Sequence, residues 1–191
     1  NLNHIFSLCE DFRNTNNEVP LVLMGYYNII FHYGVQKFVD SCLKYGVDGL
    51  IIVDLQPEED SELSIAIQST ELDLIRLITP TTNTKRLSTI LEYSSGFLYY
   101  VTITGITGQH SANIEELKKS LKIVKKNTKL PIVSGFGIKN VKQVQEICKI
   151  CDGAVVGSSI VKIIENNLDN SDRAISIIAE FVKSLKEGIN Q

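Results

Sequence analysis

The sequence predicts an α/β protein built on a parallel sheet, and three observations carry that prediction. Apolar, β-branched runs recur along the chain, amphipathic helical patterns separate them, and the runs themselves lack polar alternation. They stand at PLVLMG (20–25), DGLIIVD (48–54), LDLIRLIT (72–79), GFLYYVT (96–102), LPIVSG (130–135) and DGAVVG (152–157). Their starts lie 28, 24, 24, 34 and 22 residues apart, a spacing that leaves room for a helix after each strand. Continuous apolar character means burial on both faces, as in parallel strands covered by helices.

The chain opens with a helix before its first strand. Residues 2–15, LNHIFSLCEDFRNT, place Leu2, Ile5, Phe6, Cys9 and Phe12 on one helical face. Between the strand runs, VQKFVDSCLKYG (35–46) and IEELKKSLKIVKKN (114–127) carry helical periodicity. In DLQPEED, Pro57 suits the first helical position, and Glu58, Glu59 and Asp60 read as a solvated first turn that complements the positive helix end. A terminal helix is expected from about 171 to 187. With no linker or low-complexity segment, residues 1–191 read as one domain. A (β/α)₈ barrel takes eight strands in about 250 residues. This pattern corresponds to about six of its eight βα units, with the first strand, first helix and second strand missing. The expected architecture is therefore an N-terminally incomplete barrel whose first and last strands are open edges.

Composition removes several function classes. A net charge of −3 argues against general affinity for nucleic acid or anionic membrane. No apolar run approaches the roughly 18 residues of a membrane span, and the absence of a signal-peptide pattern predicts a cytoplasmic protein. Cys148 and Cys151 form a C-x-x-C, but at the end of a helical stretch, where the dipole disfavours thiolate. No second pair or nearby His completes a zinc site, and His4, His32 and His110 share no ligand spacing. The cysteines read as reduced and structural, and no metal is expected.

The chemistry is expected at the C-terminal strand ends, with phosphate at the loops after the last two strands. There Gly135 and Gly137 would let main chain approach an anion closely, and Gly157-Ser158-Ser159 opens a helix whose free N–H groups and dipole face it. Ordinary tight turns would account for either motif alone; the pair, in a βα array, points to a phosphate cup. A third loop, TGITGQHSAN (104–113), has two glycines as hinges and reads as a lid or as a plain surface loop.

LMGYYN (23–28), VDLQPEE (53–59), TPTT (79–82), GITG (105–108), SGFGIKN (134–140) and VVGSSIVKIIE (155–165), in this order and spacing, resemble the tryptophan synthase alpha subunit over nearly the whole chain. The resemblance implies a lyase of tryptophan biosynthesis. It would cleave indole-3-glycerol phosphate to indole and glyceraldehyde 3-phosphate by a retro-aldol step without cofactor or Schiff base. It also implies a heterotetramer with a beta subunit that carries pyridoxal phosphate and receives the indole. Gly108, Phe136, Gly137, Gly157 and Ser158 would surround the substrate phosphate, and Tyr26 and Tyr99 would line the indole pocket. Gly105 and Thr107 would belong to the closing loop. Asn28, Asp54 and Gln56 would lie on the rim facing the beta subunit.

The residues alone leave alternatives. Tyr26 and Tyr99 sit in apolar strands and could be core aromatics; Asp54 could cap its own turn; Lys162 reads as a solvated helix face. Gln56 stands where the family usually has proline, and without that fixed φ the rim loop is expected to be less rigid. The family's catalytic Glu and partner Asp lie in a stretch resembling ELGIPFSDPLADGP, which these 191 residues do not contain. No catalytic residue is therefore assigned, and the chain is expected to be inactive by itself. The competing readings are a non-catalytic remnant that only binds a beta subunit, and another sugar-phosphate-binding barrel enzyme. The latter would need strand-end His and Asp pairs or a metal.

Overall fold

Strands of no more than four residues alternate with helices along most of the chain, as βα units require. The computed structural model describes residues 1–101, 110–135 and 138–189, without the side chains of 110–113 and 116. It divides into two compact units, residues 1–77 with 83–98 and residues 78–82 with 99–191.

In the first unit, α1 (Leu2–Arg13) is capped by Asn1, whose Oδ1 accepts from the His4 amide at 3.1 Å. Its predicted apolar face is narrower than the pattern implied: Phe6 and Cys9 are buried, whereas Ile5 is exposed. Arg13 closes the helix onto the turn before the second strand. Its guanidinium donates to the Gly46 carbonyl at 2.7 Å and pairs with Asp48. Strands β1 (Val22–Gly25), β2 (Gly49–Ile52) and β3 (Asp73–Leu74) run parallel in the order β1-β2-β3, with Leu23 opposite Leu50 and Leu50 opposite Leu74. Phe38 and Val39 on α3 (Val35–Lys44) and Leu63 on α4 (Ser61–Gln68) pack with Phe6, Leu50 and Leu74 into one core. α5 (Thr84–Glu92) completes the unit, its N-cap Asn83 accepting from the Arg86 amide at 2.9 Å.

Three local readings change. A short helix α2 (Tyr27–Tyr33), not foreseen in the sequence, follows β1; Gly34, at φ 95°, separates it from α3 in a conformation that favours glycine. The 72–79 run is divided at Ile75 into β3 and β4 (Arg76–Ile78). The Ile75 amide still donates to Leu50 O at 2.9 Å, but the Leu74 carbonyl accepts from the Ser95 amide at 3.1 Å, so the run changes pairing partner midway. The acidic turn, finally, is not one solvated helix start. Pro57–Glu59 form a 3₁₀ turn, and Asp60, 2% exposed, is the N-cap of α4.

The second unit contains α6 (His110–Asn127), β6 (Ile132–Ser134), α7 (Val141–Cys148), β7 (Gly153–Ala154), α8 (Ser158–Glu165) and α9 (Ser171–Ile189). With β5 (Leu98–Tyr100), the second sheet has the order β4-β5-β6-β7, and β6 pairs β7 in parallel with Ser134 opposite Ala154. Asp152 sets that register from both sides: its amide donates to Ile132 O at 2.8 Å, and its Oδ2 accepts from the Ile132 amide at 2.8 Å. α7 packs on α9, where Gln145 Nε2 donates to the Gly188 carbonyl at 2.8 Å. α8 buries no side chain fully and exposes Val161 and Ile164. In the first unit β1 likewise leaves Met24 exposed, so apolar surface stands on both the first and the last βα unit.

The four cysteines are free thiols. Cys148 ends α7 and Cys151 is buried beyond it. Burial raises the Cys148 thiol and pushes Cys151 up to about 12, the reverse of a reactive pair.

Candidate functional site

The strand ends of the second unit draw two loops together. Ser134 Oγ, fully buried, donates to the Tyr100 carbonyl at 3.1 Å, and the Val155 amide donates to Ser134 O at 2.9 Å. A third bond joins the loops: Ser159 Oγ donates to the Ile138 carbonyl at 2.8 Å, fastening the start of α8 to the segment that follows β6. Sequence reasoning gave the Ser159 hydroxyl no role; its signal was the second serine after Gly157, at a position where a hydroxyl can reach a neighbouring loop.

The two strand-end glycines have different jobs. A Cβ on Gly135 would stand 2.4 Å from Val155 O and 2.7 Å from Val155 Cβ, closer than folded chains tolerate. Gly135 is therefore needed so that β6 and β7 can converge, which corrects the expectation that it clears space for an anion. At Gly157, by contrast, a Cβ would meet nothing within 4 Å among the described residues, and its φ of −118° suits any residue. Packing against the described residues does not demand glycine there. Gly157 and Ser158 are exposed at the start of α8. The first α8 amide to bond back along the chain is that of Ile160, to Gly157 O at 2.9 Å. The amides of Ser158 and Ser159 thus precede the hydrogen-bonded part of the helix at its positive end.

Tyr99 belongs to the same cluster. Its hydroxyl donates to the Gly135 carbonyl at 3.4 Å, its ring is half-buried, and burial raises its pKa. Of the predicted phosphate ligands, this unit brings together Gly157 and Ser158; Gly105, Thr107, Gly108, Phe136 and Gly137 lie outside the described residues.

The first unit holds the other predicted residues. Tyr26 is 57% exposed at the end of β1, so it is not a core aromatic. Asp54 does not cap its own turn: its Oδ1 accepts from the Tyr27 amide at 2.8 Å, supplying from 27 residues away the cap that Tyr26 cannot give α2. Asn28 is exposed on α2, its carbonyl accepting from His32 Nδ1 at 2.7 Å. Tyr27 braces α2 further, its hydroxyl donating to Glu62 on α4 at 3.0 Å.

The same unit holds a buried ion pair that the sequence reading passed over. Arg76, 4% exposed, pairs with Asp60 and donates from Nη1 to the Leu55 carbonyl at 3.3 Å. Burial pulls the guanidinium down to about 10, with Glu58 opposing that shift, so it stays charged at neutral pH. The signal was Arg76 itself. A charge inside an apolar strand run demands a buried counter-ion, and Asp60 is its counter-ion here.

The chain as a whole is similar to known proteins. A family model for the tryptophan synthase alpha chain matches residues 1–190. The tryptophan synthase alpha chain of Legionella pneumophila superposes with a TM-score of 0.88 at 31% identity, covering 98% of this chain and 69% of its own. The tryptophan synthase α2β2 complex of Pyrococcus furiosus provides a chain at TM-score 0.87 and 29% identity, with 98% of this chain and 74% of that one covered. The fold is thus that of the alpha-chain (β/α)₈ barrels, over about seven-tenths of their length. With a family model matching all but its last residue, this chain belongs to the tryptophan synthase alpha chain family.

Proposed function

We propose that this chain binds indole-3-glycerol phosphate as the alpha component of tryptophan synthase, and that its phosphate sits before α8. The observation that carries the reading is the contrast between the two glycines. A neighbour fills the space beside Gly135, whereas among the described residues nothing stands within reach of a Cβ at Gly157, at a helix start whose first amides donate to no described acceptor. In this reading Gly108, Phe136 and Gly137 also serve the phosphate, Tyr26 and Tyr99 serve the indole, and Gly105 and Thr107 belong to the closing loop. The reaction is retro-aldol cleavage to indole and glyceraldehyde 3-phosphate, with no cofactor in this chain. The proton transfers need carboxylates beside the indole ring, and these 191 residues hold none that matches the family's pair. By themselves they bind substrate without turning it over, because binding ground and transition states alike does not raise turnover. The partner is a pyridoxal phosphate-bearing beta subunit facing Asn28, Asp54 and Gln56; a two-component assembly among the structural relatives supports this. The setting is cytoplasmic biosynthesis.

Gly157→Asp tests the site. Aspartate is a good N-cap, so folding stability is expected to hold or to rise by a few tenths of a kcal/mol. Its carboxylate would oppose a phosphate, and the affinity for glyceraldehyde 3-phosphate should fall at least about tenfold. Undiminished affinity in a folded variant would remove the phosphate from this helix, and indole release by the unaltered chain would remove the claim of inactivity.

A further inference from the structure

The rim loop between β2 and α4 is held at both ends from within. Asp54 is bound by the Tyr27 amide, the Leu55 carbonyl by Arg76, and Asp60 by the same buried guanidinium. Between these anchors, Gln56 and Glu58 are both exposed. Their side chains share one partner among the described residues: Arg86 on α5, which donates from Nη2 to Gln56 Oε1 and from Nη1 to Glu58 Oε1 at 3.4 Å. Arg86 is well placed for this because its own amide is fixed to the Asn83 cap. The backbone at Gln56 has φ −76° and ψ 144°, the conformation proline imposes, and its N–H donates to no described acceptor.

We propose that Arg86 is a positioning residue for the beta-subunit interface, a two-pronged clamp that holds residues 56–58 in a proline-like course with no proline at 56. The partner half of this inference rests on the proposed function, which puts Gln56 on the beta-facing rim; the clamp itself does not. A loop held in its bound shape before association loses less freedom on binding, so the clamp raises affinity without itself contacting the partner. Its chemistry also explains the residue type. A guanidinium can serve an amide oxygen and a carboxylate at once from a planar fork, which a lysine cannot.

The test reads two properties of the 191-residue chain in Arg86→Ala, Arg86→Lys and the double variant Arg86→Ala with Gln56→Pro. In the chain alone, hydrogen exchange at the Glu59 amide, which donates to Gln56 O at 3.0 Å, should quicken about threefold to fivefold in Arg86→Ala, the range of an exposed charge pair. Affinity for a tryptophan synthase beta subunit, by calorimetry, should weaken by about the same factor. Arg86→Lys should lie nearer Arg86→Ala than the unaltered chain. Proline at 56 should restore both readouts without restoring the guanidinium, which a merely stabilising ion pair would not allow. Unchanged exchange in Arg86→Ala, or no rescue by Gln56→Pro, overturns the clamp. Faster exchange with undiminished beta-subunit affinity, or no beta-subunit binding by the unaltered chain, leaves the clamp standing and overturns the placement of this loop at the interface.

Discussion

Replacing Gly135 with alanine puts a methyl group in place of one hydrogen, yet the structure leaves no room for it. The new Cβ would lie 2.4 Å from Val155 O, 2.7 Å from Val155 Cβ and 3.0 Å from the Val155 carbonyl carbon. Two of these three neighbours are backbone, which no rotamer change can move. Relief to an ordinary contact needs the strand ends to part by most of an ångström, and the bond from the Val155 amide to Ser134 O, now 2.9 Å, lies across that gap. Overpacking of this kind costs about 1–3 kcal/mol, and loss of the bond adds about 1 kcal/mol. For a chain of this length each kcal/mol moves Tm by about 2–4 °C, so Gly135→Ala should melt roughly 10 °C lower. The chain has no tryptophan, so far-UV circular dichroism during heating and urea titration is the assay. Gly157→Ala is the internal control: its Cβ would meet none of the described residues, and the loss should stay below about 1 kcal/mol, the cost of a poorer N-cap. Equal melting of the two variants would refute the argument, since it assigns only the first of these glycines to packing.

Other expectations follow from buried polar groups. Asp60→Ala would strand the Arg76 guanidinium without its counter-ion and remove the α4 N-cap, a loss of about 3–5 kcal/mol; a urea midpoint shifted by less than a third of that would show the pair to be dispensable. Cys42 and Cys151 are both pushed up to about 12 by burial, from an ordinary value of 9.0. The unfolded chain therefore loses these protons near pH 9 while the folded chain keeps them. Stability is full below pH 9 and falls as the pH climbs from 9 toward 12, on the order of a few kcal/mol in all. Urea midpoints at pH 8 and pH 10.5 should diverge more in the unaltered chain than in Cys42→Ala with Cys151→Ala, where the raised Cys9 and Cys148 thiols leave a smaller fall; an equal fall in both proteins would place the titration elsewhere.

The strand runs and helical patterns were legible in the sequence because burial on both faces writes itself as unbroken apolar residues, and a helix with one wet face as a 3.6-residue period. Local order in the chain was enough for those. The family was legible too, since its motifs hold their order and spacing over most of the chain. What escaped were features decided by residues far apart in sequence. α2 is too short to show a period, and it takes its cap from Asp54, a strand away. Asp60 looked like one of three solvent-facing acids until Arg76, 16 residues on, proved to lie beside it. Gly135 and Gly157 read alike as strand-end glycines. Only the convergence of β6 and β7 makes the first a packing requirement, while the second meets none of the described residues. Periodicity and composition record how much of each element is buried. Which polar atom meets which, and which glycine faces a neighbour rather than space, depends on contacts that form only when the strands come together.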